Sequence, residues 1–387
     1  MTTSFQFRTA PRIVCEAGSA FALTQYLQDL GISTPLFVTD PGLMQIGLAP
    51  PLIEAVRQSG LEVVVFDQVR EDPPESVVQD AVVLGKGCDG VVGLGGGSSM
   101  DVAKVVAALM GSTQPLQEMY GVEQVTGSRL PLVLVPTTAG TGSEVTPVAI
   151  ITTGETTKAG ISSGVLLPDI ALLDVDLTLG LPAKITAMTG IDAMVHAIEA
   201  YTSKHKKNPM CDMLARESLR MMAVALPKVL ADGRDKEARQ DMLLGAHLAG
   251  QAFANSPVAA VHALAYPVGG HFHIPHGLSN SLVLPAVLRF NRPIAEASYA
   301  ELAECFIPNI VGDQASRCDQ FIAVLEQMIA DSGLPATLAE ANIPEDFLPT
   351  LAKDAMLQQR LLINNPRELD YDDALRIYQE AYSGVAQ

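Results

Sequence analysis

Val91-Val-Gly-Leu-Gly-Gly-Gly-Ser-Ser-Met-Asp101 runs from an apolar, β-branched stretch through three successive glycines into a helix-forming segment. A buried strand that turns sharply into a helix is one step of a β–α alternation, and the flanking sequence repeats that step. Residues 35–40, 61–66, 89–94 and 132–136 read as short strands, with helical periodicity over 19–30, 43–59, 75–87 and 99–111. Short apolar strands alternating with helices predict a doubly wound parallel α/β sheet. The texture changes at Leu177-Thr-Leu-Gly-Leu-Pro182. Amphipathic helices are expected over 183–203, 208–231, 235–254, 257–269, 277–290, 293–304, 316–332 and 370–384, without comparable Val/Ile-rich strands between them. The expected organisation is an α/β domain over 1–180 and an all-helical domain over 181–387.

A chain of 387 residues exceeds what one hydrophobic core usually serves, which agrees with two domains. Mean hydropathy is positive, yet no apolar run reaches the roughly 20 residues of a membrane span. The opening Met1-Thr-Thr-Ser-Phe-Gln-Phe-Arg8 lacks a basic segment followed by an apolar one, so no signal peptide is expected and the expected compartment is the cytoplasm. Five scattered cysteines form no Cys-x-x-Cys pair, which argues against a disulfide framework or a thiolate zinc site and for buried apolar thiols. A net charge of -18 disfavours nucleic acid and anionic membranes as partners.

The glycines after 91–94 let a backbone approach a diphosphate closely, and the helix that follows offers unpaired N–H groups and the positive end of its dipole. The stretch is not the usual dinucleotide fingerprint, because Ser98 stands where its third glycine would be. A second loop, Pro136-Thr-Thr-Ala-Gly-Thr-Gly-Ser-Glu-Val-Thr146, places hydroxyls and glycines directly after another strand, a composition suited to phosphate, ribose and amide groups. Asp40, just past its strand, can accept both hydroxyls of an adenosine ribose, or it can cap the turn at Pro41-Gly42. Against a 2′-phosphate it would cost about 4 kcal/mol at an effective dielectric of 20, which favours NAD over NADP. Farther on, Asp192 and His196 are spaced to share one helical face, and His262 and His276 flank an apolar, Gly-containing stretch. Together they form a nitrogen and oxygen ligand set for a divalent transition metal, although the Asp-x-x-x-His spacing alone also suits a solvated face.

These residues resemble one family over almost the whole chain, the iron-containing (group III) alcohol dehydrogenases, whose fold is shared with glycerol dehydrogenase and dehydroquinate synthase. The resemblance rests on Gly-Gly-Gly-Ser-Ser-Met-Asp (95–101), Thr-Thr-Ala-Gly-Thr-Gly-Ser-Glu-Val-Thr (137–146) and Pro-Asp-Ile-Ala-Leu-Leu-Asp (168–174). It continues through Gly-Ile-Asp-Ala-Met-Val-His-Ala-Ile-Glu-Ala-Tyr (190–201), His262 and Pro-His-Gly (275–277). It implies Asp192, His196, His262 and His276 as metal ligands, with iron(II) the usual ion and zinc a frequent substitute. It also implies that Gly95, Gly96, Gly97 and Ser98 cradle the NAD diphosphate, within the motif that closes on Asp101. Thr137, Thr138, Thr141 and Ser143 would contact the phosphates or the nicotinamide end, and Lys158 and Asp40 fall at cofactor-binding positions.

The implied reaction passes hydride between a small alcohol and nicotinamide C4, with NAD across the carboxyl edge of the sheet and a homodimer or larger assembly. One departure stands out. The family pattern often reads His-x-x-x-His-x-x-Gly, with the second histidine a candidate proton relay, and here Tyr266 occupies that place. A phenol titrates near 10 and an imidazole near 6.5, so Tyr266 is expected to orient substrate rather than shuttle protons. Tyr266 and His271 are the candidate catalytic side chains, and Phe253 is expected in the pocket. His271 and His273 are weaker rivals to His276 as ligands, and Glu199, one helical turn beyond His196, could support the ligands from behind, although a structural hydrogen bond or charge pair is expected. Other readings are a hydroxyacid–oxoacid transhydrogenase, to which Tyr266 also points, a lyase of the dehydroquinate synthase type, and a non-catalytic nucleotide-binding protein.

Overall fold

The computed structural model describes residues 4–154 and 157–384. One compact unit comprises Arg8–Gly180; the other runs from Leu181 onward and includes the segment ending at Phe7. The first unit contains strands β1 (Arg12–Cys15), β2 (Pro35–Val38), β3 (Val64–Phe66), β4 (Gly90–Gly95), β5 (Gly121–Val122), β6 (Leu132–Pro136), β7 (Val148–Thr153), β8 (Thr157–Ser162) and β9 (Ile170–Leu173). Its helices are α1 (Leu23–Asp29), α2 (Pro41–Gln45), α3 (Ala49–Gln58), α4 (Glu75–Leu84) and α5 (Gly97–Gly111).

Six strands form one parallel sheet in the order β1-β9-β6-β4-β2-β3. Successive side chains of a strand face opposite ways, and here both faces are apolar. Leu36, Val38, Val91 and Leu134 pack with α4 and α5 on one side; Phe37, Val92, Val133 and Ile170 pack with α1 and α3 on the other. The expected α/β class is therefore borne out. A smaller sheet, β5-β8-β7, was not anticipated, and nor were the outer strands β1 and β9. Strand β1 lies on the sheet edge and is mostly exposed, and its apolar stretch Ile13-Val14-Cys15 is only three residues long. Its last residue, Cys15, is exposed, unlike the other four cysteines. The helix expected over 43–59 is two, because Gly47 takes a φ of 78° between α2 and α3.

The second unit is helical: α6 (Ala183–Thr202), α7 (Pro209–Ala231), α8 (Lys236–Asn255), α9 (Ala260–Phe272), α10 (His276–Leu302), α11 (Gln314–Asp331), α12 (Leu348–Ala355), α13 (Gln359–Leu362) and α14 (Tyr371–Ser383). Helix α6 is buried nearly all round, as a central helix must be, and packs against α7, α8 and α10. The two helices expected over 277–290 and 293–304 are one, with Pro285 and Pro293 inside α10. Each proline removes a helical hydrogen bond. Near Pro293 Arg367 Nη1 donates to the Phe290 carbonyl at 2.7 Å and ties the helix to the segment before α14, and burial of Leu284, Val287 and Leu288 holds the helix in place. No helix among the described residues is long and apolar enough to cross a membrane.

Candidate metal centre and cofactor cradle

In the α/β unit, the carboxyl ends of β2, β4 and β6 stand side by side, with Val38 paired to Gly93 and Gly95 to Pro136. The chain runs outward from β2 to β3, then returns to β4 on the other side of β2. Such a reversal of strand order opens the crevice in which α/β sheets bind ligands. Asp40 follows β2, residues 95–98 follow β4 and residues 137–143 follow β6. Gly95 has a φ of 150°, and a Cβ there would stand 2.7 Å from Ser99 Oγ and 3.3 Å from Asp40 Oδ2. A Cβ on Gly97 would meet Thr141 Cγ2 at 2.8 Å, so the two polar loops touch only because this residue is glycine. Gly96, the N-cap of α5, makes no side-chain cap, which leaves the first N–H groups of the helix for an incoming anion.

Other cofactor candidates are already engaged. Asp40 Oδ1 caps α2 by accepting from Leu43 N at 3.0 Å. Asp101 Oδ1 accepts from Ser143 Oγ at 2.5 Å and Oδ2 from Ile150 N at 2.9 Å, so this pair braces the second loop against α5. Lys104 completes the brace, donating to Ser143 Oγ and the Val148 carbonyl at 2.7 Å each; complete burial lowers its pKa, while Asp101 and Glu144 act in the opposite direction. Lys104 was not singled out from the sequence, where a lysine inside an apolar helix carries no positional signal. Lys158 on β8 pairs with Asp72 at 2.6 Å. Thr137 and Ser143 are buried, and Thr138 is partly exposed beside Gly96.

In the helical unit, three helices each contribute residues four apart on one face: Asp192 and His196 from α6, His262 and Tyr266 from α9, His276 and Asn280 from α10. The ligating atoms of Asp192, His196, His262 and His276 all lie within 4.8 Å of one another. Asp192 Oδ1 is 3.6 Å from His276 Nε2 and 4.0 Å from His262 Nε2. Burial would raise the Asp192 carboxyl, but His196, His276, His262 and the Asn280 donor together bring its pKa below the ordinary value. The first three ligands are buried, whereas the side chain of His276 is 34% exposed and marks the open side. Phe253 stacks on His196 with ring centroids 4.3 Å apart, and Tyr266 tilts over His276 at 5.8 Å.

A divalent cation fits this set on two counts. The donors are one carboxylate oxygen and three imidazole nitrogens, with no thiolate, as suits iron(II) or zinc. Fully buried Asn280 also places Nδ2 2.5 Å from Asp192 Oδ1, 3.2 Å from His276 Nε2 and 3.4 Å from His262 Nε2, while its Oδ1 has no hydrogen-bond partner. A hydrogen-bond donor thus sits among converging acceptors at the cost of an unsatisfied carbonyl. Asn280 escaped the sequence reading, although a lone amide in a buried apolar run, four residues after His276, was the available signal. Glu199, expected to be structural, reaches His262 Nδ1 at 2.6 Å. His271 lies about 13 Å along α9 from His262 and engages Asp354 at 2.7 Å and the Phe347 ring.

Comparison with known proteins agrees with this geometry. A family model described as iron-containing alcohol dehydrogenase matches residues 10–175, and one for the C-terminal part of the Fe-containing alcohol dehydrogenase family matches 186–382. The chain is 40% identical over 382 residues to long-chain-alcohol dehydrogenase 1 of Geobacillus thermodenitrificans, covering 95% of this chain and 94% of that one. It is 36% identical over 361 residues to 1,3-propanediol dehydrogenase of Klebsiella pneumoniae, covering 92% and 93%. A crystal structure of 1,3-propanediol oxidoreductase superposes with a TM-score of 0.94 at 33% identity, covering 98% of this chain and all of that one. The chain therefore belongs to the iron-containing alcohol dehydrogenase family and is an NAD(H)-linked oxidoreductase that interconverts an alcohol and its carbonyl partner.

Proposed function

We propose that Asp192, His196, His262 and His276 hold one divalent ion, iron(II) with zinc able to replace it, and that a small primary alcohol is oxidised beside it. The convergence of these four side chains within 4.8 Å carries the reading. Bound there, the ion would supply Lewis-acid polarisation of the alcohol or carbonyl oxygen. The chain's own residues do the rest. Gly95, Gly96, Gly97 and Ser98 with the α5 N-terminus receive the NAD diphosphate, and Thr138 and Thr141 line the same cradle. Asp40 takes the adenosine ribose, and Lys158 remains a cofactor contact by family resemblance. Asp101 and Ser143 act through each other, keeping the second loop in register. Phe253 gives the substrate an apolar wall on His196, and the Tyr266 hydroxyl orients it beside the exposed edge of His276.

His262→Ala and His276→Ala should each remove bound metal and turnover together, by at least a hundredfold in kcat/KM. Elemental analysis with NADH absorbance over a panel of aldehydes measures both, and full activity in a metal-free variant would end the reading. The same panel, extended to hydroxy-acid and oxo-acid pairs, tests whether Tyr266 belongs to a transhydrogenase that keeps its NAD bound. Assembly as a homodimer or larger is part of the proposal, on the family resemblance, and light scattering reads it.

A further inference from the structure

We propose that Glu199 is a positioning residue of the metal centre, fixing His262 in the tautomer that presents Nε2 to the cation and completing the charge balance of the site. This rests on the four-ligand reading above and adds a residue to it.

Both Glu199 oxygens are committed. Oε1 accepts from the backbone N–H of Val261 at 2.7 Å, and Oε2 lies 2.6 Å from His262 Nδ1. The two residues are 4% and 2% exposed, so water does not compete for either contact. A backbone N–H can only donate, so it anchors the carboxylate whatever the ring does. An ionised carboxylate only accepts, so Nδ1 carries a proton, and in the neutral ring that binds a cation Nε2 then keeps its lone pair. That lone pair faces the ligand set, with Nε2 3.4 Å from Asn280 Nδ2 and 4.0 Å from Asp192 Oδ1. Helical geometry places Glu199 for this task. It lies seven residues after Asp192, two turns along the same face of α6, and reaches across to α9.

Charge gives a second reason. Asp192 and three neutral imidazoles leave a divalent cation with one uncompensated positive charge in an enclosed site, where unpaired charge is costly. Glu199, one imidazole away, cancels it. Carboxylate–histidine–metal arrangements of this kind typically strengthen metal affinity about 10- to 100-fold.

A plain tie between α6 and α9 would use the same hydrogen bond, and Glu199→Gln separates the two roles. The amide oxygen can still accept from Nδ1, but the amide NH2 then faces the Val261 N–H, so only half of the tie survives while the charge is lost. We expect the zinc Kd of Glu199→Gln, measured by chelator competition on stripped full-length protein, to rise about 10- to 100-fold, while the melting temperature of the stripped protein falls only by the loss of the Val261 contact. A parental Kd in Glu199→Gln, with His262→Ala abolishing binding, overturns the Glu199 proposal alone. A parental Kd in His262→Ala overturns the four-ligand reading and this proposal with it. Should Glu199→Gln not fold, ring nitrogen shifts of His262 in the stripped parental protein decide the matter. A protonated Nδ1 and bare Nε2 are expected; the opposite tautomer overturns the proposal.

Discussion

Asp40 serves two purposes with two oxygens. Oδ1 caps α2 through Leu43 N, and Oδ2 stands beside Gly95, where an approaching ribose would meet it. The two readings open in the sequence, cap and ribose acceptor, are therefore compatible. Asp40→Ser keeps a good N-cap acceptor and removes the charge. The ratio of kcat/KM with NADP to that with NAD should rise at least about tenfold, or 1.4 kcal/mol, a fraction of the roughly 4 kcal/mol repulsion. An unchanged ratio would remove Asp40 from cofactor selection. Tyr266 was legible as a departure at a known place and Glu199 as a neighbour of His196 with an open role, while Asn280 was not. Spacing placed each on the ligand face, Asn280 four residues after His276 and Glu199 three after His196, but the contacts that give them a role reach to other helices.

At the scale of elements, the metal centre depends on how closely α10 approaches α6. A Cβ on Gly277 would fall 2.3 Å from the Met188 carbonyl oxygen and 3.3 Å from Asp192 Cβ. Backbone bounds the contact on both sides, so no side chain can swing away to relieve it. Gly277→Ala should cost about 3 kcal/mol, the upper end for overpacking. It should also push His276 away from Asp192 and weaken metal binding. Thermal denaturation and metal content check this; a variant with parental values on both would show that the helices can part without consequence. The same helix shows a limit of local reading. Pro293 signalled a break that tertiary burial overrode, whereas Gly47 divided a segment whose apolar periodicity looked continuous.

At the scale of the whole molecule, the two candidate sites lie in separate compact units, Arg8–Gly180 for the dinucleotide and Leu181 onward for the metal. A ligand stabilises the unit that binds it, by about 2.7 kcal/mol at one hundred times its Kd. Calorimetry should therefore show two transitions, with NAD raising the one and chelator lowering the other. A single transition moved equally by both would mean that neither unit is stable alone. Most of the sheet was readable because β2, β4 and β6 are buried on both faces and form unbroken apolar runs. Strand β1, mostly exposed on the edge, offered only Ile13-Val14-Cys15.

The sequence alone determined the β–α alternation, the change to helices near Leu177–Pro182, the glycine and hydroxyl loops, and the four candidate ligands in their family motifs. These are local signals, carried by periodicity or by a few adjacent residues. Only the tertiary structure decided that Asp101 braces Ser143, that His271 turns to Asp354, and that Asn280 and Glu199 stand around the metal ligands. Each of those contacts joins residues 42 to 88 positions apart. Their energy comes from burying both partners together, a condition that exists only once the helices and loops have packed.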